Sequence, residues 1–277
     1  PEEQRAGLGC HGEAPVQRWR VLRRAVTPRG VSLTYGCTLP VARMRIRRTI
    51  VLRRDANVVR VRETLSNLAR QDQPFTICEH VTVGPPFLEK GVTVFDMSAT
   101  RGHTFPGVFG EPQRLRSDTA FVWPAGPGRQ GTVDLRRFER NRRRSSDFTV
   151  LLMNPRRQHA WFSAVNPRLK LLLAYVWRRR DFPWVGNWEE NHARRQPPWN
   201  GRTLARGMEF SNTPFPVGLR RAVDLGHFQG VPTYRWLPAR GTLNFEYQIL
   251  LQSVPRGCRG VADIRISRGK TEVDLLP

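Results

Sequence analysis

The chain has 277 residues, 39% of them hydrophobic, with 8 Trp and 14 Phe. That is enough apolar material for a full core, which excludes a disordered tail or a small disulfide-stapled scaffold. The formal net charge is +23, a balance that raises nucleic acid or an anionic surface as partners. Yet Lys90, Lys170 and Lys270 are the only lysines, and the arginines are scattered through strand-like segments as well as loops. The charge therefore reads as a diffuse coat, and no specific nucleic acid is expected.

Along the chain, strand signals dominate. Arg43 to Arg47 alternates polar and apolar with period two, as does Val59 to Arg62, the pattern of a half-buried antiparallel sheet. Loops are predicted at 84–91, 101–114, 124–131, 139–146 and 191–202, each rich in Gly, Pro, Asn or Arg. A strand carrying Met208 and Phe210 is expected to end where Pro214 and Pro216 fix φ and remove backbone donors. Thr242 to Ile249 alternates over four cycles, and the tail from Val261 reads as two strands about a Gly-Lys turn. The 22 Pro and 23 Gly punctuate the chain too often for long helices. These signals describe an all-β chain of many short antiparallel strands, read as a single domain over 1–277, without choosing between sandwich, barrel and propeller.

Cys10, Cys37, Cys78 and Cys258 are widely spaced, with no Cys-x-x-Cys. That argues against a zinc site and suits a reducing cytoplasm. No apolar run reaches the length of a membrane span, so no membrane partner is expected. The Arg-rich runs Arg136-Arg137, Arg140, Arg142 to Arg144 and Arg178 to Arg180 read as solvated loops. Glu209 lies between a flexible glycine and the proline turn, a position where a lone acid is more often a solvated turn residue than a carboxylate at a strand's mouth.

Four segments in order carry a resemblance. They are His11-Gly12 with Trp19; Asn67, Pro74 and His80 before Phe87-Leu88; Asp147; and Glu209 followed by Pro214. Together they resemble the galactose mutarotase (aldose 1-epimerase) superfamily over most of the chain. The resemblance implies a large antiparallel β-sandwich, a monosaccharide or other sugar-containing ligand, and no metal or organic cofactor. It implies Glu209 as general base and His80 as acid for opening and reclosing a pyranose ring, with His11 near the ring oxygen and Asp147 holding a hydroxyl. Asn67 belongs to the same motif set and is expected at the substrate. Because that family carries β structure and a sugar-contacting Arg ahead of its His-Gly motif, N-terminal strands are expected to be missing here.

On sequence alone His80 also fits a core histidine, and Asp147 a cap for the strand after the Arg loop. Trp184 and Trp188, among Glu189, Glu190 and Asn187, offer flat faces for a sugar or anchors for a long loop. Glu189 and Glu190 are neighbours, so on a strand they point to opposite faces and cannot flank one bond. Besides the isomerase, two further functions are carried: a non-catalytic carbohydrate-binding module, and weak sequence-independent nucleic-acid binding by the Arg-rich surface.

Overall fold

The computed structural model describes residues 5, 7–9, 11–140, 144–267 and 269–277; Cys10, Arg142 and Arg143 lie outside the described residues. Contacts gather the chain into two compact units, Pro1–Thr76 with Val217–Leu250 and Ile77–Pro216 with Leu251–Pro277.

The first passage of the chain forms β1 (Arg20–Thr27), β2 (Gly30–Leu39), β3 (Met44–Arg53), β4 (Val58–Asn67) and β5 (Gln73–Phe75). The second forms β6 (Cys78–Val83), β7 (Val94–Met97), β8 (Ala99–Thr104), β9 (Ala120–Val122), β10 (Ala125–Pro127) and β11 (Thr132–Asp134). It continues through β12 (Ser145–Met153), β13 (His159–Asn166), β14 (Leu171–Arg178), β15 (Trp184–Asn191) and β16 (Leu204–Ser211). The chain then returns to the first unit with helix α1 (Leu219–Leu225), β17 (His227–Phe228), β18 (Val231–Pro232), β19 (Arg235–Leu237) and β20 (Thr242–Ser253). A hairpin of β21 (Gly260–Ser267) and β22 (Lys270–Leu276) follows. The predicted loops at 101–114 and 124–131 contain strand residues of β8 and β10, because Gly102 and Gly126 allow Phe121 and Leu135 to close over the backbone.

In the first unit β1, β2, β3, β4 and β20 pair antiparallel in that order. The period-two alternation of the sequence becomes a two-sided sheet. Met44, Ile46, Val61, Leu65, Phe245 and Tyr247 are buried, while Arg45, Arg47 and Arg62 are exposed. β5 pairs with β19, and Phe75 meets Phe245 edge-on at 6.4 Å.

The second unit is a sandwich. One sheet runs β11-β10-β9-β8-β12-β15-β16-β6, and the other joins β14, β13 and β7. Phe210 of β16 stacks on Trp177 of β14 at 4.5 Å and touches Phe162 and Phe182, fixing which face of the larger sheet looks inward. Such ring pairs add about 0.5–1.5 kcal/mol each beyond area burial. All nine residues of β12 are buried, so this strand is covered on both faces.

Candidate functional site

Register decides which side chains share a face. Across β15, β16 and β6, Gly186 pairs with Glu209 and Glu209 with His80, placing the acid and the imidazole side by side on the face opposite Phe210. His80 Nε2 stands 3.1 Å from Glu209 Oε1; the His80 side chain is 35% exposed and that of Glu209 11%. His80 Nδ1 lies 3.4 Å from the Thr82 hydroxyl. Burial pushes the Glu209 carboxyl from 4.5 up to about 7, because the anion loses water that the apolar surroundings do not replace.

Room for that carboxylate comes from two glycines. A Cβ at Gly207 would lie 2.6 Å from Glu209 Oε1, and one at Gly186 would lie 3.3 Å from Oε2 and 2.8 Å from the Phe148 ring. Phe148 belongs to an aromatic group on this face. Phe109 is 4.8 Å from it and Phe105 6.2 Å, while Phe215, between the two prolines of the turn, is 6.0 Å from Phe105. His103 reaches Phe215 edge-on at 6.5 Å. Trp188, in register with Phe148 and Gly207, carries the Arg194 guanidinium 5.2 Å above its ring, and the same guanidinium lies 5.1 Å from Trp199 and 5.6 Å from Phe109. Glu190 holds Arg194 in place: its Oε1 accepts the backbone N–H groups of Ala193 and Arg194 at 2.7 and 2.9 Å.

The other residues singled out in the sequence are placed differently. Asp147 pairs with Glu189, and Glu189 with Arg206; an odd offset from Glu209 puts all three on the inward face, away from the Glu209–His80 pair. There Asp147 accepts the backbone N–H groups of Arg114 and Leu115 at 3.1 and 3.0 Å and pairs with the Arg114 guanidinium. Arg114 also bonds Glu189, and Arg206 donates to Asn187 Oδ1 at 2.7 Å and to Leu135 O at 2.6 Å. Burial pushes the Asp147 carboxyl up to about 6 against the pull of Arg114, and brings Arg206 down to about 10. This is an internal ionic brace, tying the loop at 114 to β12, β15 and β16. Trp184 is fully buried on the Glu209 face. Asn67 and His11 belong to the other unit. Asn67 spends its amide on the carbonyls of Gln71, Leu237 and Pro238 and its oxygen on Ala69 N–H, and His11 is exposed beside Gly12.

Sequence reasoning passed over His103, Phe105, Phe109, Phe148, Phe215 and Arg194. Of these only His103 and Phe148 lie in strands, where period two was their one signal; Phe105, Phe109, Phe215 and Arg194 lie in loops that carry no period, and their meeting depends on the fold. Among the described residues no group of three or more His, Cys, Asp or Glu is placed to hold a metal ion. A cavity of about 370 Å3 among β9, β10 and β11, lined by Arg116, Phe121 and Arg129 among others, has no acid or imidazole in its wall.

No protein-family model matches the sequence, and no curated protein matches it. Solved structures do. The galactose mutarotase related enzyme of Lactobacillus acidophilus superposes with a TM-score of 0.57 at 16% identity, covering 89% of this chain and 75% of that one. A galactose mutarotase-like protein of Clostridium acetobutylicum gives 0.56 at 8% identity, over 86% and 67%. The chain has the galactose mutarotase-like fold. A Klebsiella pneumoniae protein provisionally named an aldose 1-epimerase gives 0.57 at 11% identity over 83% of this chain, which spans 53% of that protein's length. The large antiparallel sandwich expected from the sequence is thus the observed architecture, in company with proteins of that name.

Proposed function

We propose that the chain is an aldose 1-epimerase-like isomerase, with Glu209 as general base and His80 as its proton-transfer partner. The observation that carries this reading is their cross-strand contact at 3.1 Å on a glycine-cleared, aromatic-lined face of a fold shared with galactose mutarotase-like proteins.

Ring opening needs a base to take the anomeric hydroxyl proton and an acid to protonate the ring oxygen; closure on the other carbonyl face reverses both transfers. A carboxylate titrating near pH 7 is half ionised at neutrality, where a general base is most effective. His80, at hydrogen-bond distance from it, can hold or release the second proton. Phe109 and Trp188, both half-buried, supply flat apolar surface for the C–H face of a pyranose, with the buried Phe148 packed against Phe109. Asp147 is assigned the brace described above, and the expectations for His11 and Asn67 at the sugar rest on the sequence resemblance alone.

Polarimetry on freshly dissolved α-glucose and α-galactose tests the reading. The protein should accelerate the approach to the anomeric equilibrium, and Glu209→Gln should return the rate to that of buffer while sugar binding survives. A rate no faster than buffer with the wild-type chain would refute the isomerase. Retained binding in that case would identify the carbohydrate-binding module instead.

A further inference from the structure

Of the Arg-rich runs singled out in the sequence, Arg136 is paired with Asp96 at 2.6 Å and Arg178 with Asp181 at 2.8 Å. A further concentration of arginine lies on the first unit's five-stranded sheet. Register places Arg20, Arg23, Arg45, Arg47, Arg60 and Arg62 on one face of β1, β3 and β4, opposite to the buried Ile46, Val61 and Phe245. Between them stand hydroxyls and amides joined across strands: Thr34 to Thr49 at 3.0 Å, Thr64 to Asn244 at 2.9 Å and Ser66 to Thr242 at 3.2 Å. Against these six guanidinium groups and that of Arg53, which shares their face, the outward positions of these strands hold one acid, Glu246, 3.6 Å from Arg62.

From this face we infer a docking surface for the phosphate backbone of double-stranded nucleic acid, bound without regard to sequence. Guanidinium forks match phosphate oxygens, and Ser, Thr and Asn side chains are the usual companions in backbone contacts. Alternate residues on a strand are about 6.6 Å apart and neighbouring strands about 4.8 Å, so the arginines form a two-dimensional array that can meet several phosphates at once. The outward positions of these strands carry no Phe, Tyr or Trp. Unstacked bases want aromatic platforms, and pyranose faces also want flat rings. A duplex, which hides its bases and presents only charge, needs neither. This surface belongs to the first unit and the Glu209–His80 face to the second, and the inference does not depend on the isomerase reading.

The test is fluorescence anisotropy of the whole chain with a labelled DNA duplex of roughly 20 base pairs, about two helical turns, titrated across salt. Each phosphate neutralised contributes about −0.9 to the slope of log K against log salt. With four or so contacts the wild-type slope should be near −4. The pair Arg45→Glu with Arg47→Glu should weaken binding by about tenfold or more at low salt and make the slope shallower by about 2. The pair Arg129→Glu with Arg256→Glu, exposed residues of the other unit, changes net charge equally and should leave most of the affinity. Circular dichroism checks folding, and Arg45→Gln with Arg47→Gln replaces the reversal pair should that pair not fold. Equal losses in the two pairs would overturn the inference, since net charge alone would then explain binding. So would the absence of wild-type binding, a clear preference for single strands, or binding of a sulfated polysaccharide that the duplex does not displace.

Discussion

At the Glu209 carboxylate, structure and chemistry are one question. Its pKa near 7 is the result of burial, so folding holds a proton there that the unfolded chain releases near 4.5. The contribution to stability is therefore fully present below pH 4.5 and is lost as pH rises through 7. Relative to the wild type, Glu209→Gln should gain up to about 3 kcal/mol between pH 4 and pH 8, as read by urea denaturation at the two values. Activity should move the opposite way. The base form accumulates above pH 7, so the anomerisation rate should rise through a limb centred near 7. Gly207→Ala tests the cradle: its methyl would collide with Oε1, and the carboxylate must turn away from His80. The expected outcome is loss of most activity and a displaced pH midpoint, with a melting temperature moved far less than the rate. His80 and Glu209 were legible as candidates because each sits in a short motif, but their contact was not. It depends on the pairing of β6 with β16, two strands separated by more than a hundred residues of chain.

Among the elements, β12, β15 and β16 show why alternation is an incomplete guide. Period two correctly places Glu189 and Glu190 on opposite faces: Glu189 joins Arg114 and Arg206, and Glu190 holds the backbone at Ala193 and Arg194. What alternation does not say is which face is the core, and in a strand buried on both sides the hydropathy contrast is absent. Asp147 thus reads as a strand cap from its local context and as a site acid only through the resemblance. Its partners decide, since two backbone N–H groups and a buried guanidinium already surround it. The brace makes a sharp stability prediction. Glu189→Ala would leave the fully buried Arg206 and the nearly buried Arg114 short of their shared counter-charge, at a cost of about 3–5 kcal/mol. Glu139→Ala removes a carboxylate 3.5 Å from Arg114 that is 42% exposed, and should cost under about 1 kcal/mol because solvent screens that pair. Denaturant midpoints of the two variants measure the contrast, and similar losses would show that Glu189 is not the centre of the brace.

For the whole molecule, the path of the chain matters more than its composition. The sequence shows many short antiparallel strands punctuated by Pro and Gly, and that much of the sandwich was readable from local pattern. The division into two units was not, because neither unit is a continuous segment: the chain passes from one to the other near residues 76, 216 and 250. No composition shift marks those crossings, since both units draw on the same strand-and-turn vocabulary. Discontinuity has a physical consequence. β20 pairs with β4 along nine residues, Thr242–Leu250 against Val58–Ser66, and it supplies the buried Phe245 and Tyr247. A chain ending at Pro216 would keep β1 to β4 but lose that strand, leaving β4 with an open row of backbone donors and acceptors and Leu65 and Val61 without their cover. Exposed edges of this kind seek pairing with other chains. The shortened protein should elute as soluble aggregates on size-exclusion chromatography and lose its near-ultraviolet circular dichroism. A chain ending at Ser253, which retains β20 and gives up only the β21–β22 hairpin, should keep the first unit's sheet and remain markedly less aggregated. If the two truncations behave alike, β20 is not what closes that sheet.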